Sequence, residues 1–261
     1  MSKKKVIEEN LEMHQKKAEN YEEEKTEIYN EEEQKRIESV LSKAKKKIKT
    51  ENAKKKVLDV GCGSGNLLEK LNSRFEKVVG IDLSEKMLSV ASSKFKSGEN
   101  VKLVKGRVAE LPFPENHFDL VSAYSVLHHL PNFSEPLSEI SRVLKKGGVL
   151  YIDHEPVNRE DLLVKLYIKF CDILNGTSSK GLPPYNDEDG REYCDYHIHH
   201  GENGGVPTSK IIDLCKDRGI GIITNKKYLP HSTDSKNPLR SVLEPFTDSE
   251  WLLMGRKKGS A

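Results

Sequence analysis

Two aspartates and three alternate glycines carry the clearest chemistry in this chain. They lie in Val57-Leu58-Asp59-Val60-Gly61-Cys62-Gly63-Ser64-Gly65-Asn66 and, at the end of the next apolar run, in Val78-Val79-Gly80-Ile81-Asp82. Glycine lets a backbone turn tightly and approach a ligand closely, because it has no Cβ to clash. A dinucleotide loop spaces its glycines G-x-G-x-x-G. Here the third falls at Gly65 and Asn66 follows it, giving G-x-G-x-G. Asp59, just ahead of the loop, sits badly beside a pyrophosphate and well beside the ammonium of an amino-acid ligand. Asp82 ends its run where a carboxylate can accept both hydroxyls of a ribose. The pattern points to a nucleoside bearing an amino acid, not to NAD.

Tyr124, Ser125, His128 and His129 form a second cluster. Histidine titrates near neutral pH, so His128 and His129 are general-base candidates, His129 foremost. His197 and His199 alternate as strand neighbours would, a spacing compatible with metal. Such a run more often lines a pocket or the surface, and no metal site is expected. Cys62, Cys171, Cys194 and Cys215 are widely spaced without a CxxC pair, so free thiols are expected.

These groups need a frame. Val57–Val60, Lys77–Asp82, Val101–Lys105, Phe118–Ala123 and Val149–Asp153 read as short strands. Helices between them open at Asn66, Ser84 and Ser134, the two serines acting as N-caps. The Ser134 helix carries Leu137, Ile140 and Leu144 and is expected to stop at Gly147-Gly148. Strands separated in this way imply right-handed βαβ units and a parallel sheet covered on both faces. Ligands of such sheets gather at the carboxyl ends of the strands. Upstream, Leu11, His14, Ala18 and Tyr21 share a helical face. Asn30 and Glu33 suggest a capping box for a helix striped with Ile37, Val40, Leu41, Ala44 and Ile48. After Asp153, Leu162–Leu174 and Thr208–Asp217 read as helices, and Ile220–Tyr228 and Glu250–Arg256 as strands. Gly176–Pro207 has no readable pattern.

Composition narrows the function classes. The 261 residues are 35% hydrophobic and 32% charged, and 43 basic against 41 acidic residues leave a net charge of +2. That balance disfavours a dedicated nucleic-acid binder. The runs Lys45-Lys46-Lys47 and Lys54-Lys55-Lys56 read as a solvated helix face and a strand entry. No stretch approaches the roughly 20 apolar residues of a membrane span, and MSKKKVIEEN lacks the apolar centre of a secretory signal. A cytoplasmic location is expected.

In order, VLDVGCGSGN, VVGIDLSEKML, ELPFPENHFDLV and HHL with SEISRVLKKGGVLYI resemble the successive motifs of class I S-adenosylmethionine (SAM) dependent methyltransferases. The likeness is nearest to the small-molecule, type 11 subgroup that includes ubiquinone- and menaquinone-biosynthesis enzymes, and it is close over about residues 55–155. It implies an α/β Rossmann-like fold whose seven-stranded sheet is parallel except for the last strand. It further implies an N-terminal helical lid over 1–50, and a SAM-binding domain over 51–258 with a cap insertion at about 154–206. The implied reaction moves a methyl group from SAM to O, N or C of a small-molecule acceptor and releases S-adenosylhomocysteine (SAH). Residue by residue, Asp59, Gly61, Gly63 and Gly65 would surround the methionine moiety and Asp82 the ribose. Leu83 and Met87 would pack on adenine, Val108 and Ala109 would meet its edge, and Tyr124 would lie at the cofactor-facing end of its strand. Methyltransferases of phosphorylated amino-alcohols pair a histidine at the His129 position with an N-terminal tyrosine, a role open to Tyr21. One departure stands out: where the family reads G-D-A-E, this chain has Gly106-Arg107-Val108-Ala109-Glu110, so Arg107 replaces the adenine-contacting acid. An RNA or protein methyltransferase would share the core, but no basic extension and no Asn/Asp-Pro-Pro-Tyr motif follows the fourth strand. A non-catalytic SAM-binding regulator is the other alternative.

Overall fold

The apolar runs of the sequence assemble into one seven-stranded sheet. The computed structural model describes residues 3–51, 53–96, 100–156, 205–228 and 250–259, and the backbone of 185–186 and 192–193. The strands are β1 Lys56–Val60, β2 Lys77–Asp82, β3 Val101–Lys105, β4 Phe118–Tyr124, β5 Leu144–Pro156, β6 Ile220–Tyr228 and β7 Glu250–Lys257. Their spatial order is β3-β2-β1-β4-β5-β7-β6. Strands β1 to β5 pair in parallel, and β7 runs antiparallel to both β5 and β6. The antiparallel strand is thus the last in the chain, as expected, but it sits inside the sheet and not at its edge. Strand order reverses between β1 and β4, so a crevice opens above their carboxyl ends. Asp59 lies in register with Gly80 on one side and Ser122 on the other, at this switch.

Helices cover both faces. On one, α7 (Ser134–Val143) and α8 (Thr208–Asp217) pack Leu137, Ile140, Ile211 and Cys215 against Leu58, Val121, Ile152 and Leu253. On the other, α4 (Glu31–Lys47), α5 (Asn66–Asn72) and α6 (Glu85–Ser93) bring Ile37, Leu41, Leu68, Leu71 and Ala91 onto Val57, Val78, Leu120 and Tyr151. Each fully buried aliphatic side chain contributes about 1.5–3 kcal/mol, so both faces are strongly held. Cys62 and Cys215 are buried, unpaired thiols.

The N-terminal segment is broken into α1 (Lys3–Lys17), α2 (Tyr21–Glu24), α3 (Thr26–Tyr29) and α4. Asn30 caps α4 by accepting from the Glu33 N–H at 2.9 Å. The expected capping box is only half made, because the Glu33 carboxylate is buried and accepts from Arg36 and Tyr124 instead. Ser84 caps α6 as expected, accepting from the Met87 N–H at 3.3 Å. Ser134 does not cap α7. It is the first helical residue, its hydroxyl accepts from Arg218 at 2.7 Å, and Asn132 accepts from the Glu135 N–H at 3.3 Å. The helix also ends at Val143, ahead of the expected Gly147-Gly148 stop, because Leu144 already pairs with Phe118.

Much of the expected cap insertion lies outside the described residues, including Leu162–Leu174, His197 and His199. Within its bounds, residues 154–156 complete β5, and Tyr185–Asn186 pairs antiparallel with Glu192–Tyr193. Among the described residues no helix is long and apolar enough to cross a membrane.

Candidate active site

The turn out of β1 is built by glycine. The Gly61 N–H donates to Ile81 O at 2.8 Å, folding the loop back over β2. Gly61 has φ +64°, and a Cβ there would stand 2.6 Å from Val126 Cγ2. Gly63, at φ +51°, has nothing within 4 Å of that position, because the crevice itself occupies the space. The crevice has a volume of about 220 Å³. Of the residues expected at a site, Asp59, Gly61, Gly63, Asp82, Leu83, Met87, Val108, Ala109, Tyr124, Tyr21 and His129 line it. Gly65 does not; it precedes α5 in a left-handed conformation and packs against Ala91. Arg107 lines the crevice but stays exposed. Cys62 is buried in the loop with its Sγ facing Gly80, and burial pushes its thiol pKa well up.

Two carboxylates and one amide set the electrostatics. Asp59 is buried and accepts from the Ser122 hydroxyl at 2.6 Å. Burial pushes its pKa up to about 7, opposed by the Ser122 hydrogen bond and reinforced by the charge of Asp82. Asp82 braces the loop, accepting from the N–H groups of Gly63 at 2.9 Å and Ser84 at 2.8 Å. Each oxygen keeps a lone pair, so a ribose would share Asp82 with the backbone rather than hold it alone. Asn66 Nδ2 is buried in the crevice wall with no partner among the described residues. An unpaired buried donor costs about 1–3 kcal/mol, a cost that a ligand's acceptor atom would remove.

The N-terminal helices close over this loop. Ser64 Oγ donates to Glu22 at 2.8 Å and accepts from the Tyr29 hydroxyl at 2.8 Å. Lys94 pairs with both Glu22 and Glu69. Burial works against ionisation of Glu22, yet hydrogen bonds from Lys94 and Ser64 hold its pKa below the usual value. Asn10 Nδ2 donates to His129 O at 2.9 Å. Tyr21 and His129 therefore enter the same crevice, but His14 stands between them: its ring centroid is 6.1 Å from that of Tyr21 and 4.9 Å, edge on, from that of His129.

The sequence reading missed several of these groups. His14 was legible only as part of a helical face, and Glu22, Tyr29 and Ser64 carry no signal of their mutual contact. Glu155 was missed altogether. It is buried at the end of β5 and accepts from the turn that bears His128 and His129.

The parallel sheet, its reversal point and the acid-flanked glycine crevice make up a Rossmann-like α/β fold with an open crevice at its switch point. Residues 58–152 match the family described as a methyltransferase domain. A demethylmenaquinone methyltransferase of Staphylococcus aureus (strain MRSA252) is 46% identical over 98 residues, which cover 36% of this chain and 41% of that relative. The match thus spans less than half of the relative's length. A SAM-dependent methyltransferase from Methanosarcina mazei superposes with a TM-score of 0.56 at 22% identity, covering 80% of this chain and 95% of that one. Magnesium protoporphyrin IX methyltransferase from Synechocystis, solved with bound SAH, superposes with a TM-score of 0.53 at 20% identity, covering 86% and 83%. These structures share the fold.

Proposed function

We propose that this chain transfers a methyl group from SAM to O, N or C of a small-molecule acceptor and releases SAH. One juxtaposition carries the reading: the Asp59 carboxylate, the open space beside Gly63 and the unpartnered amide of Asn66 meet in one crevice. That set suits an amino acid carrying an ammonium and a carboxylate. In this reading Asp59 receives the ammonium, and Asp82 takes the ribose while still bracing the loop. Leu83 and Met87 face the adenine ring, the Val108 and Ala109 backbone meets its edge, and Tyr124 closes the methionine end. Arg107 leaves the adenine amino group without an acidic partner. Bound SAM supplies a methyl carbon on a good leaving group, so the protein's task is to hold an acceptor in line and take its proton. His129 is the base, and Tyr21 approaches it from the lid across His14. Residues 1–50 act as that lid on a domain over 51–258, with a cap insertion at about 154–206. The likeness to demethylmenaquinone methyltransferase supports a small-molecule acceptor. The unpaired, buried thiols suit a reducing, cytoplasmic setting.

Isothermal titration with SAH tests the cofactor, and a methyl-transfer screen with labelled SAM over quinol, phenol and amine acceptors tests the chemistry. Micromolar SAH binding and label in an acceptor are expected. No binding at about millimolar SAH, weaker than about −4 kcal/mol, rejects the reading.

A further inference from the structure

The turn carrying His128 and His129 has an unusual support. After Ser125, at φ +58°, the chain makes a single 3₁₀ turn over Leu127–His129. The leading N–H groups of such a turn have no partners inside it. All of them point at Glu155. Its Oε1 accepts from the N–H of Val126 at 2.7 Å and of Leu127 at 2.8 Å, and its Oε2 from the N–H of His128 at 3.1 Å. Oε2 also lies 2.9 Å from His128 Nδ1. These four contacts fill the accepting capacity of the fully buried Glu155 carboxylate.

We propose that Glu155 is the positioning residue of this site: it fixes the His128–His129 turn and the tautomer of His128, and through them the ring of His129 that faces the crevice. The proposal rests on the reading above, in which His129 acts beside the acceptor. Three backbone N–H donors make Glu155 the acceptor at this turn, so His128 Nδ1 carries the proton that faces Oε2. The His128 ring then backs the His129 ring at a centroid distance of 4.0 Å, while His14 contacts His129 from the lid. His129 is thus clamped between a lid helix and a turn anchored on β5. Among the described residues, Glu155, His129 and His154 stand beside His128. Burial lowers the His154 pKa to about 3, which leaves that ring neutral.

The test uses the full chain labelled with ¹⁵N-histidine, together with SAH titration. Long-range ¹H–¹⁵N spectra are expected to show His128 of the wild type as the Nδ1–H tautomer. In Glu155→Gln that preference is lost and the His129 signals shift. His128→Asn keeps an N–H donor for Glu155 but removes the ring, so it is expected to stay folded, to shift the His129 signals and to hold SAH within about twofold of wild type. A wild-type His128 in the Nε2–H form overturns the proposal, and this measurement stands even if Glu155→Gln fails to fold. Unchanged His129 signals in His128→Asn, or loss of SAH binding in that folded variant, overturn it too. If the wild type shows the Nδ1–H form but binds no SAH, the functional reading fails while the clamp stands.

Discussion

Arg36 on α4 donates to Asp153 on β5 at 2.9 Å, although 117 residues separate them in the chain. The same guanidinium grips Glu33 at 2.6 and 2.7 Å, donates to the Tyr228 hydroxyl at 2.9 Å and lies 4.2 Å from the centre of the Tyr228 ring. Tyr228 and Tyr151 both donate to Asp153. Burial raises the Asp153 pKa, and Arg36 is the foremost counterweight. One cation thus joins the last N-terminal helix to β5 and β6, beneath the crevice wall formed by Tyr124. Replacing it by Arg36→Met would strand two buried carboxylates, and breaking one partner of a buried pair costs about 3–5 kcal/mol. Urea unfolding should show that loss. A change below about 1 kcal/mol would mean that the network contributes little.

Asp59 gives a pH signature. In the folded chain it keeps its proton to about 7, against 3.8 for the ordinary group. The folded state then binds more protons than the unfolded state between those limits. Ligand-free stability attributable to Asp59 therefore falls as pH rises from about 4 to 7 and levels off above, by at most ~1.4 kcal/mol per unit. Asp59→Asn should lack this fall, so its stability relative to wild type should rise between pH 5 and 8. If SAH presents its ammonium to Asp59, wild-type affinity should climb through pH 7 and the variant's should stay flat. Parallel unfolding curves at both pH values would remove the burial effect.

The glycines of the loop should fail differently. Gly61→Ala combines a left-handed backbone with a Cβ driven into Val126, adding overpacking of about 1–3 kcal/mol to backbone strain of about 1–2 kcal/mol. Gly63→Ala meets open space and carries only the strain. Gly61→Ala should have the lower melting temperature. Gly63→Ala should lose at least about tenfold in SAH affinity, roughly 1.4 kcal/mol, because its methyl group enters the ligand's space. Equal melting and equal binding in the two variants would contradict this division.

Release should depend on Glu22. Glu22→Gln weakens the contact with Ser64 and removes the ion pair with Lys94. Loss of about 1 kcal/mol of grip corresponds to roughly fivefold faster SAH dissociation. Stopped-flow displacement measures it, and an unchanged rate would show that the N-terminal helices do not gate the crevice.

Much of this architecture was legible in advance. The strands Lys77–Asp82, Val101–Lys105 and Ile220–Tyr228 and the helix Thr208–Asp217 occupy the spans read from their apolar patterns. Local periodicity and neighbouring caps decide such spans. The glycine loop was legible because its spacing is a backbone requirement. The buried partnerships of Glu33, Arg36, Asp153 and Glu155 were not. In EEEQKRIE and IDHEP a charge reads as solvent-facing, and only tertiary packing brings the donors and the countercharge that let it be buried. Ser134 failed as a cap for a similar reason, since Arg218, distant in sequence, takes its hydroxyl.

Cys62 places a sulfur in the middle of the loop, yet keeps it tucked against Gly80 and far from thiolate form. Nucleophilic attack needs the thiolate. Alkylating reagents and mild oxidants should therefore pass this loop by, leaving its sulfur indifferent to swings in redox poise.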